Sequence, residues 1–348
     1  MAETWRLELL DAHERYKADL GQVVGGTLQW SAFRAVQGSG SVQLTRAVRI
    51  DPLNDRVRIV HSLDGRETPM GVWMLALDGS TTDGPVTQQE LTLADKTHIP
   101  NRSTTGQWWN MWPGRVVTTW VQGLLWELGE RAFAIEHATD TVASSMHWDH
   151  DATWLEIIND VLRSIGYGSL WADRFGHYRA EPYVEPGRRP VTASYGSDAR
   201  AMRPSWEDRA PLDIPNVFAY FVPGDEETPG YWVHARNDNP DSPFSVPSRA
   251  KYPGRRYGEI VQAEQGEASS REAAQAIANR RLAEVSQVTR RATITHPVDD
   301  TWPGDVVHHG PLDLTGPIVS RTVTLGIGAV VEDTIRHIYT GGGAPWLS

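Results

Sequence analysis

"GYGSLWADRFGHYRAEPYVEP", residues 166–186, decides how the chain is read. A glycine ends a helical run, and Tyr167, Trp171, His177 and Tyr178 follow around a tight turn at Asp173 to Gly176. A strand bounded by Pro182 and Pro186 then leads away. Aromatics so grouped either line a ligand pocket or pack a structural joint. In the returning strand His177, Arg179 and Glu181 alternate with Tyr178 and Ala180. That period of two describes a half-buried hairpin, not side chains converging on one point. The stretch therefore reads as a joint.

The helix that precedes it has a legible start and stop. Thr153 and Glu156 in "TWLE" form a capping box after Asp149 and Asp151. Leu155, Ile158, Leu162 and Ile165 make its buried stripe, and Gly166 falls where a left-handed terminal residue is expected. Further upstream, after Pro113-Gly114, "RVVTTWVQGLLWELGERAF" sets Val117, Trp120, Val121, Leu124, Leu125 and Leu128 on one helical face. Two helices and a hairpin thus form a small α/β unit.

Residues 4 to about 95 have a different texture. "TWRLELLD", "GTLQWSAF", "SVQLTR", "RVRIV", "GVWMLAL" and "VTQQELTL" are short strands punctuated by "QGSGS", "SLDG" and "DGSTTDGP". The "GSGSV" at residue 38 is read as a hairpin turn. Such spacing predicts an antiparallel sandwich or barrel. Beyond the joint, residues 187–215 read as a loop-rich connection. "NVFAYFV" and "GYWVHAR" then pair as strands, and a polar loop occupies 237–256. A third helix is capped by Ser269 and Glu272 and buries Ala274, Ile277, Ala278, Leu282 and Val285. Strands "RATITHP" and "GDVVHH" and a hairpin about Gly326-Ile327-Gly328 follow, before the flexible tail "YTGGGAPWLS". No repeat of fixed period occurs.

Composition narrows the function. At 348 residues the chain exceeds what one core usually serves, so two or more domains are expected. No apolar run approaches the ~20 residues of a membrane span, and "MAETWRLELL" lacks a signal-peptide layout. A protein made and kept in the cytosol, or assembled there, is expected. The absence of cysteine excludes disulfides, thiolate zinc sites and cysteine nucleophiles. A net charge of -11 argues against binding nucleic acid by counterion release. Of the basic residues only Lys17, Lys96 and Lys251 are lysines. The 15 tryptophans fit core and interface anchors, or alternatively a sugar-binding platform.

The search for chemistry assigns no catalytic residue, no cofactor and no metal. "HWDHD" offers His147, Asp149, His150 and Asp151 as ligand types, but they precede a helix, where Asp serves the exposed N–H groups. His308 and His309 are adjacent on a strand and point to opposite faces. No nucleophile elbow, phosphate loop or dinucleotide fingerprint is present. Arg188-Arg189, Arg255-Arg256 and Arg290-Arg291 are isolated basic pairs. A component of an assembly is the reading that remains.

The order of elements then resembles the minor tail proteins of siphophages infecting actinobacteria, within the wider group of tail and baseplate hub proteins. The resemblance is carried by "WRLELLDAHERYKADLG" leading to "GTLQWSAFRAVQGSGSVQL", by "WLEIINDVLRSIGYGSLWADRFGHYRAEPYVEP", and by "AAQAIANRRLAEV" followed by "WPGDVV" and the final hairpin. It implies a mainly β fold with α+β modules: two antiparallel β-barrel hub domains joined by smaller α/β domains. The implied division is an N-terminal barrel over 1–100, an α/β module over 101–200, a second barrel with a helical segment over 201–340, and a tail over 341–348. The implied role is a non-enzymatic tail-tip hub of the virion. A homotrimer of two-barrel chains would give a pseudo-sixfold ring, joining the sixfold tail tube to threefold parts. Implied partners are distal tail and tail tube proteins, the tape measure, and central fibre or spike proteins. DNA would pass through the channel without specific binding, repelled by an acidic wall. The alternatives are a receptor- or carbohydrate-binding tail protein and, further off, a metal-dependent hydrolase using His147, Asp149, His150 and Asp151.

Overall fold

The computed structural model describes residues 3–32, 36–83, 86–196, 202–209, 214–224, 229–238, 245–246, 259–286 and 289–337. The tail at 341–348, the Arg255-Arg256 pair and most of the 237–256 loop lie outside them. Among the described residues no helix is long and apolar enough to cross a membrane.

The fold is mainly β with small α+β units. Its N-terminal strands are β1 (Glu3–Leu10), β2 (Tyr16–Ser31), β3 (Gly38–Leu44), β4 (Arg56–Leu63), β5 (Arg66–Asp83) and β6 (Val86–Asp95). All their pairings are antiparallel, in the order β1-β4-β5-β6-β3-β2, and β2 pairs again with β1. Every strand of the six thus has two neighbours within the set. Inside lie Leu7, Leu28, Trp30, Val42, Ile59, Trp73 and Leu91, all buried.

A compact α/β unit follows: α1 (His98–Asn101), β7 (Trp109–Met111), α2 (Val117–Glu127), β8 (Phe133–Ile135), β9 (Met146–Trp148), α3 (Trp154–Ser164), β10 (Trp171–Ala172) and β11 (Tyr178–Ala180). Thr153 caps α3 as read, its hydroxyl accepting from Glu156 N–H at 3.2 Å. Leu155, Ile158 and Leu162 are fully buried, and Gly166 has φ +78°. Trp109, Trp120, Trp148 and Trp154 pack together over this core.

The remaining strands are β12 (Val191–Tyr195), β13 (Met202–Arg209), β14 (Val217–Val222), β15 (Tyr231–Arg236), β16 (Val261–Gln265), β17 (Thr289–His296), β18 (Val306–His309), β19 (Leu314–Leu325) and β20 (Val330–His337), with α4 (Arg271–Val285) between β16 and β17. β14, β15 and β16 form a three-stranded sheet that α4 covers through Ala274, Ile277, Ala278 and Leu282. The others run β12-β18-β19-β20-β17-β13 and no pairing among the described residues joins β13 back to β12. This set is fused to the N-terminal one because β2 is long enough to serve both. Its Tyr16–Gln22 half pairs with β1, while Gly26–Ser31 pairs with β19.

Several readings of the sequence need correction. "DGSTTDGP" is not a break, since residues 78–83 continue β5 and pair with β6. The strand expected at "GTLQWSAF" begins at Tyr16, because register shifts and the left-handed Gly21 and Gly26 break its alternation. "GSGSV" is not a turn but the body of β3. A Cβ on Gly40 would lie 2.6 Å from Leu28, and one on Gly38 would lie 2.9 Å from Asp95, so these glycines serve close approach. The "loop" at 187–215 contains β12 and β13; β12 is a mostly exposed strand, so burial imposes no period on it. Finally, α4 starts one residue later than read, so Ser270 and not Ser269 is the cap, its hydroxyl accepting from Ala273 N–H at 3.1 Å.

Candidate functional site

The stretch 166–186 sits at the meeting point of the N-terminal strands, the α/β unit and the C-terminal strands. Its turn is closed by Gly176 N–H to the Asp173 carbonyl at 2.9 Å, and the Asp173 carboxylate accepts from the N–H groups of Phe175 and His177. Gly176 has φ +89°, and a Cβ there would come within 2.6 Å of Val72 and 3.0 Å of Glu14. Only glycine lets the turn press this closely on β5.

Below the turn lies a buried ionic cluster that draws on separated parts of the chain. Lys96, at the end of β6, is fully buried. Its ammonium contacts Glu14, lies 3.1 Å from Glu130 and donates to the Gly176 carbonyl at 2.7 Å. It also lies 4.7 Å from the centre of the Tyr178 ring. Arg56 donates to Glu14 at 2.7 Å and to both oxygens of Glu130, one at 3.1 Å. Burial works against the Arg56 charge, but the Glu130 hydrogen bond and the two carboxylates more than offset it and raise its pKa. Tyr178 donates its hydroxyl to the Lys96 carbonyl at 2.6 Å, and burial raises its pKa well above the usual phenol value. Two cations and two carboxylates balance, which is the condition for burying charge at all.

The other side of the turn reaches the C-terminal strands. Gly71 N–H donates to the Arg174 carbonyl at 3.0 Å, while the Arg174 guanidinium donates to the Thr301 carbonyl at 3.1 Å and lies 5.2 Å from the Trp302 ring. Trp302 packs edge-on against Trp30, which meets Trp73. The Trp302–Asp305 turn of "WPGDVV" is closed by Asp305 N–H to the Trp302 carbonyl at 3.0 Å, with Gly304 at φ +97°. Behind it, buried Arg321 bridges Asp333 at 2.7 Å and the Thr301 carbonyl and hydroxyl. His296 lies 3.0 Å from Asp333. Burial pushes the Asp333 carboxyl up, but Arg321 and His296 together hold it below its ordinary value.

A third tie runs to α4. Tyr167 is buried; its hydroxyl donates to the Glu136 carbonyl, and its own carbonyl accepts from Arg280 at 3.4 Å. Ser144 donates to Glu267 at 2.6 Å. The aromatics of the stretch therefore do not face one pocket. Tyr167 and Tyr178 are buried, Trp171 packs against the N-terminal core, and His177 lies beside Asp173 at the surface.

The metal candidates are not brought together. His147 is bound to Asn110 at 2.7 Å, and Asp149 and His150 are exposed, with their carbonyls accepting from Ala152 and Gly106. Asp151 is exposed ahead of α3. Among the described residues no three His, Asp or Glu side chains converge as ligands. His309 is buried, which lowers its pKa, and His308 instead meets Thr315 at 2.8 Å. Most described tryptophans are wholly or partly buried; Trp108, Trp112, Trp126 and Trp232 are the exposed ones among them. Sequence reasoning missed Glu14, Arg56, Lys96 and Glu130 altogether, since charged residues in polar surroundings read as solvated.

No family model matches the chain, and no curated protein matches it in sequence. Solved structures do share its fold. The tail protein from Neisseria meningitidis MC58 superposes with a TM-score of 0.69 at 12% identity, over 97% of this chain and 98% of that one. The 43 kDa tail protein of prophage MuSo2 from Shewanella oneidensis gives 0.63 at 12% identity, over 96% and 98%. A type VI secretion system component of E. coli, described as similar to the T4 tail proteins gp27 and gp5, gives 0.54 at 11% identity, over 93% and 76%.

Proposed function

We propose that this chain is a structural hub protein of a phage-type tail, without catalytic activity, placed at the tail tip of the virion. The observation that carries the reading is end-to-end likeness of fold to two tail proteins, each covered almost completely. The joint at 166–186 supports it: the residues spent there fasten modules to one another, with Lys96, Arg56, Glu14 and Glu130 neutralised in pairs. A hub must hold its parts in fixed relation under load.

In this reading the closed pairing of the first six strands is one barrel, and β12, β13 and β17 to β20 supply the second. The domain division we propose keeps the expected 1–100, 101–200, 201–340 and 341–348, except that β12 (Val191–Tyr195) goes with the second barrel. Three copies form a ring of six β lobes that joins a sixfold tube to threefold parts around a DNA channel, in a siphophage of actinobacteria. Tail tube, distal tail, tape measure and fibre or spike proteins are its neighbours. The net charge of -11 suits a wall past which DNA slides.

The test is cryo-electron microscopy of the purified chain at high concentration, with light scattering for mass, alone and mixed with the adjoining tail tube protein. A threefold ring with an open channel is expected. A chain that forms no ring in either sample and is missing from purified virions overturns the proposal.

A further inference from the structure

The two-stranded ribbon of β7 and β9 has an outer face that the joint does not use. Burial alternates along residues 108–112: Trp108 is exposed, Trp109 half-buried, Asn110 exposed, Met111 buried and Trp112 exposed. Trp108 and Trp112 keep 71% and 57% of their surface in water, unusual for indoles in a chain that buries or half-buries most of its tryptophans. Four residues of extended chain separate them by ~14 Å along the ribbon. Between them Asn110 is paired across the ribbon with His147, whose Nδ1 lies 2.7 Å from the Asn110 amide oxygen. With the amide oxygen accepting, Nδ1 carries the hydrogen. The Asn110 amide nitrogen is then left as a donor and His147 Nε2 as an acceptor.

His147 also lines a cleft of about 240 Å³ beside the ribbon, shared with Asp160, Arg163, Glu264, Gln265 and Glu267. Its charges are mostly paired: Arg163 lies 3.1 Å from Asp160, and Arg281 donates to Glu264 at 2.8 Å.

We propose that this face binds a neutral, extended glycan of β-linked pyranoses. Flat apolar sugar faces stack on indoles, and a hydroxyl needs a donor and an acceptor side by side, which Asn110 and His147 supply. Trp108 and Trp112 flank the three-residue β7, and the alternate exposure of residues 108, 110 and 112 sets both indoles on the side of Asn110, which suits an extended chain better than a helical one. With Arg163 and Arg281 both engaged by carboxylates, the cleft favours a neutral polymer over a phosphate- or carboxylate-bearing one. Tryptophan also anchors protein interfaces, so contact between copies of the chain is the competing outcome that the test separates. The inference stands apart from the hub role and does not depend on it.

The test titrates the full chain with cellohexaose and chitohexaose, with maltohexaose as the helical comparison, following tryptophan fluorescence and calorimetry. Saturable binding of at least one β-linked hexamer, stronger than of maltohexaose, is expected. Trp108→Ala and Trp112→Ala should each weaken it about tenfold or more, the size of an aromatic hot spot, and Asn110→Ala should weaken it with the melting temperature unchanged. No binding of either hexamer, or equal binding by the Trp108→Ala/Trp112→Ala double variant, overturns the proposal. So does self-association that the double variant abolishes in the absence of sugar binding, which would assign the face to contacts between copies.

Discussion

The Lys96 ammonium and the Gly176 carbonyl oxygen lie 2.7 Å apart inside the protein, joining the end of a β-strand to a turn 80 positions further on. Neither residue has another route to water: Lys96 is fully buried, and Gly176 is pressed against Val72. The modules are thus held by a contact that is costly to break from either side.

Lys96→Met removes one cation and leaves Glu14 and Glu130 to share Arg56. Loss of one partner from a buried ionic group costs about 3–5 kcal/mol. Urea unfolding should show a fall of that size in stability with the slope unchanged. Adding Glu14→Gln to Lys96→Met should restore part of it, because the charge balance returns.

Gly176→Ala and Gly114→Ala separate conformation from space. Both glycines are left-handed, at φ +89° and +83°, but a Cβ on Gly114 meets nothing within 4 Å. Gly114→Ala should therefore cost only the left-handed penalty of about 1–2 kcal/mol. Gly176→Ala should cost distinctly more, since Val72 stands 2.6 Å from the new methyl. Thermal unfolding of the two variants side by side checks this.

Asp95 gives a pH signature. Burial raises its pKa from 3.8 to about 6, although the Thr97 hydroxyl and the N–H groups of Gly38, Thr97 and His98 act in the opposite direction. Between those values the folded chain holds a proton that the unfolded chain has released. Its contribution therefore falls as pH rises through that window, by about 3 kcal/mol in all, and is flat above it. Asp95→Asn should remove this slope from the stability curve between pH 4 and pH 6, read as the difference from the parent protein. It should also cost about 1–3 kcal/mol at every pH, because an amide hydrogen would then face the Gly38 N–H.

Arg321 and Asp333 form a buried pair that can be exchanged for hydrocarbon. Arg321→Met alone should cost about 3–5 kcal/mol, as Asp333 is left with His296 only. Arg321→Met/Asp333→Leu should recover most of that. Denaturant midpoints for Arg321→Met, Asp333→Leu and the double variant form the cycle.

What the sequence discloses depends on how local the cause is. α3 was legible because Thr153, Glu156, the Leu155–Ile158–Leu162 stripe and Gly166 all lie within one short segment. The hairpin at 171–180 was legible for the same reason, through the alternation of His177 and Arg179 with Tyr178. The first half of β2 was hidden, since Gly21, Gly25 and Gly26 interrupt the period that marks a strand. β12 was hidden because an exposed strand has no face to declare. The ionic cluster had no local sign at all: Glu14, Arg56, Lys96 and Glu130 become partners only through the pairing of distant strands. The Asn110–His147 pair escaped likewise, its two residues lying on different strands. His147 drew notice for its neighbours in sequence, Asp149 and His150, whereas its partner in space is an amide.

The pairing of Leu28 in β2 with Val323 in β19 has a consequence for how the protein is made. The two strands lie near opposite ends of the described chain, and Val323, Leu325, Val331 and Trp302 complete the core that Leu28 and Trp30 begin. At about 5–20 residues per second of synthesis, β2 leaves the ribosome between about fifteen seconds and a minute before its partner exists. Throughout that time one edge of β2 offers unpaired amides and an unfinished apolar surface. The N-terminal strands can gather early but cannot be sealed until the last hairpin arrives, so over that interval the nascent chain carries an edge open to pairing with other chains.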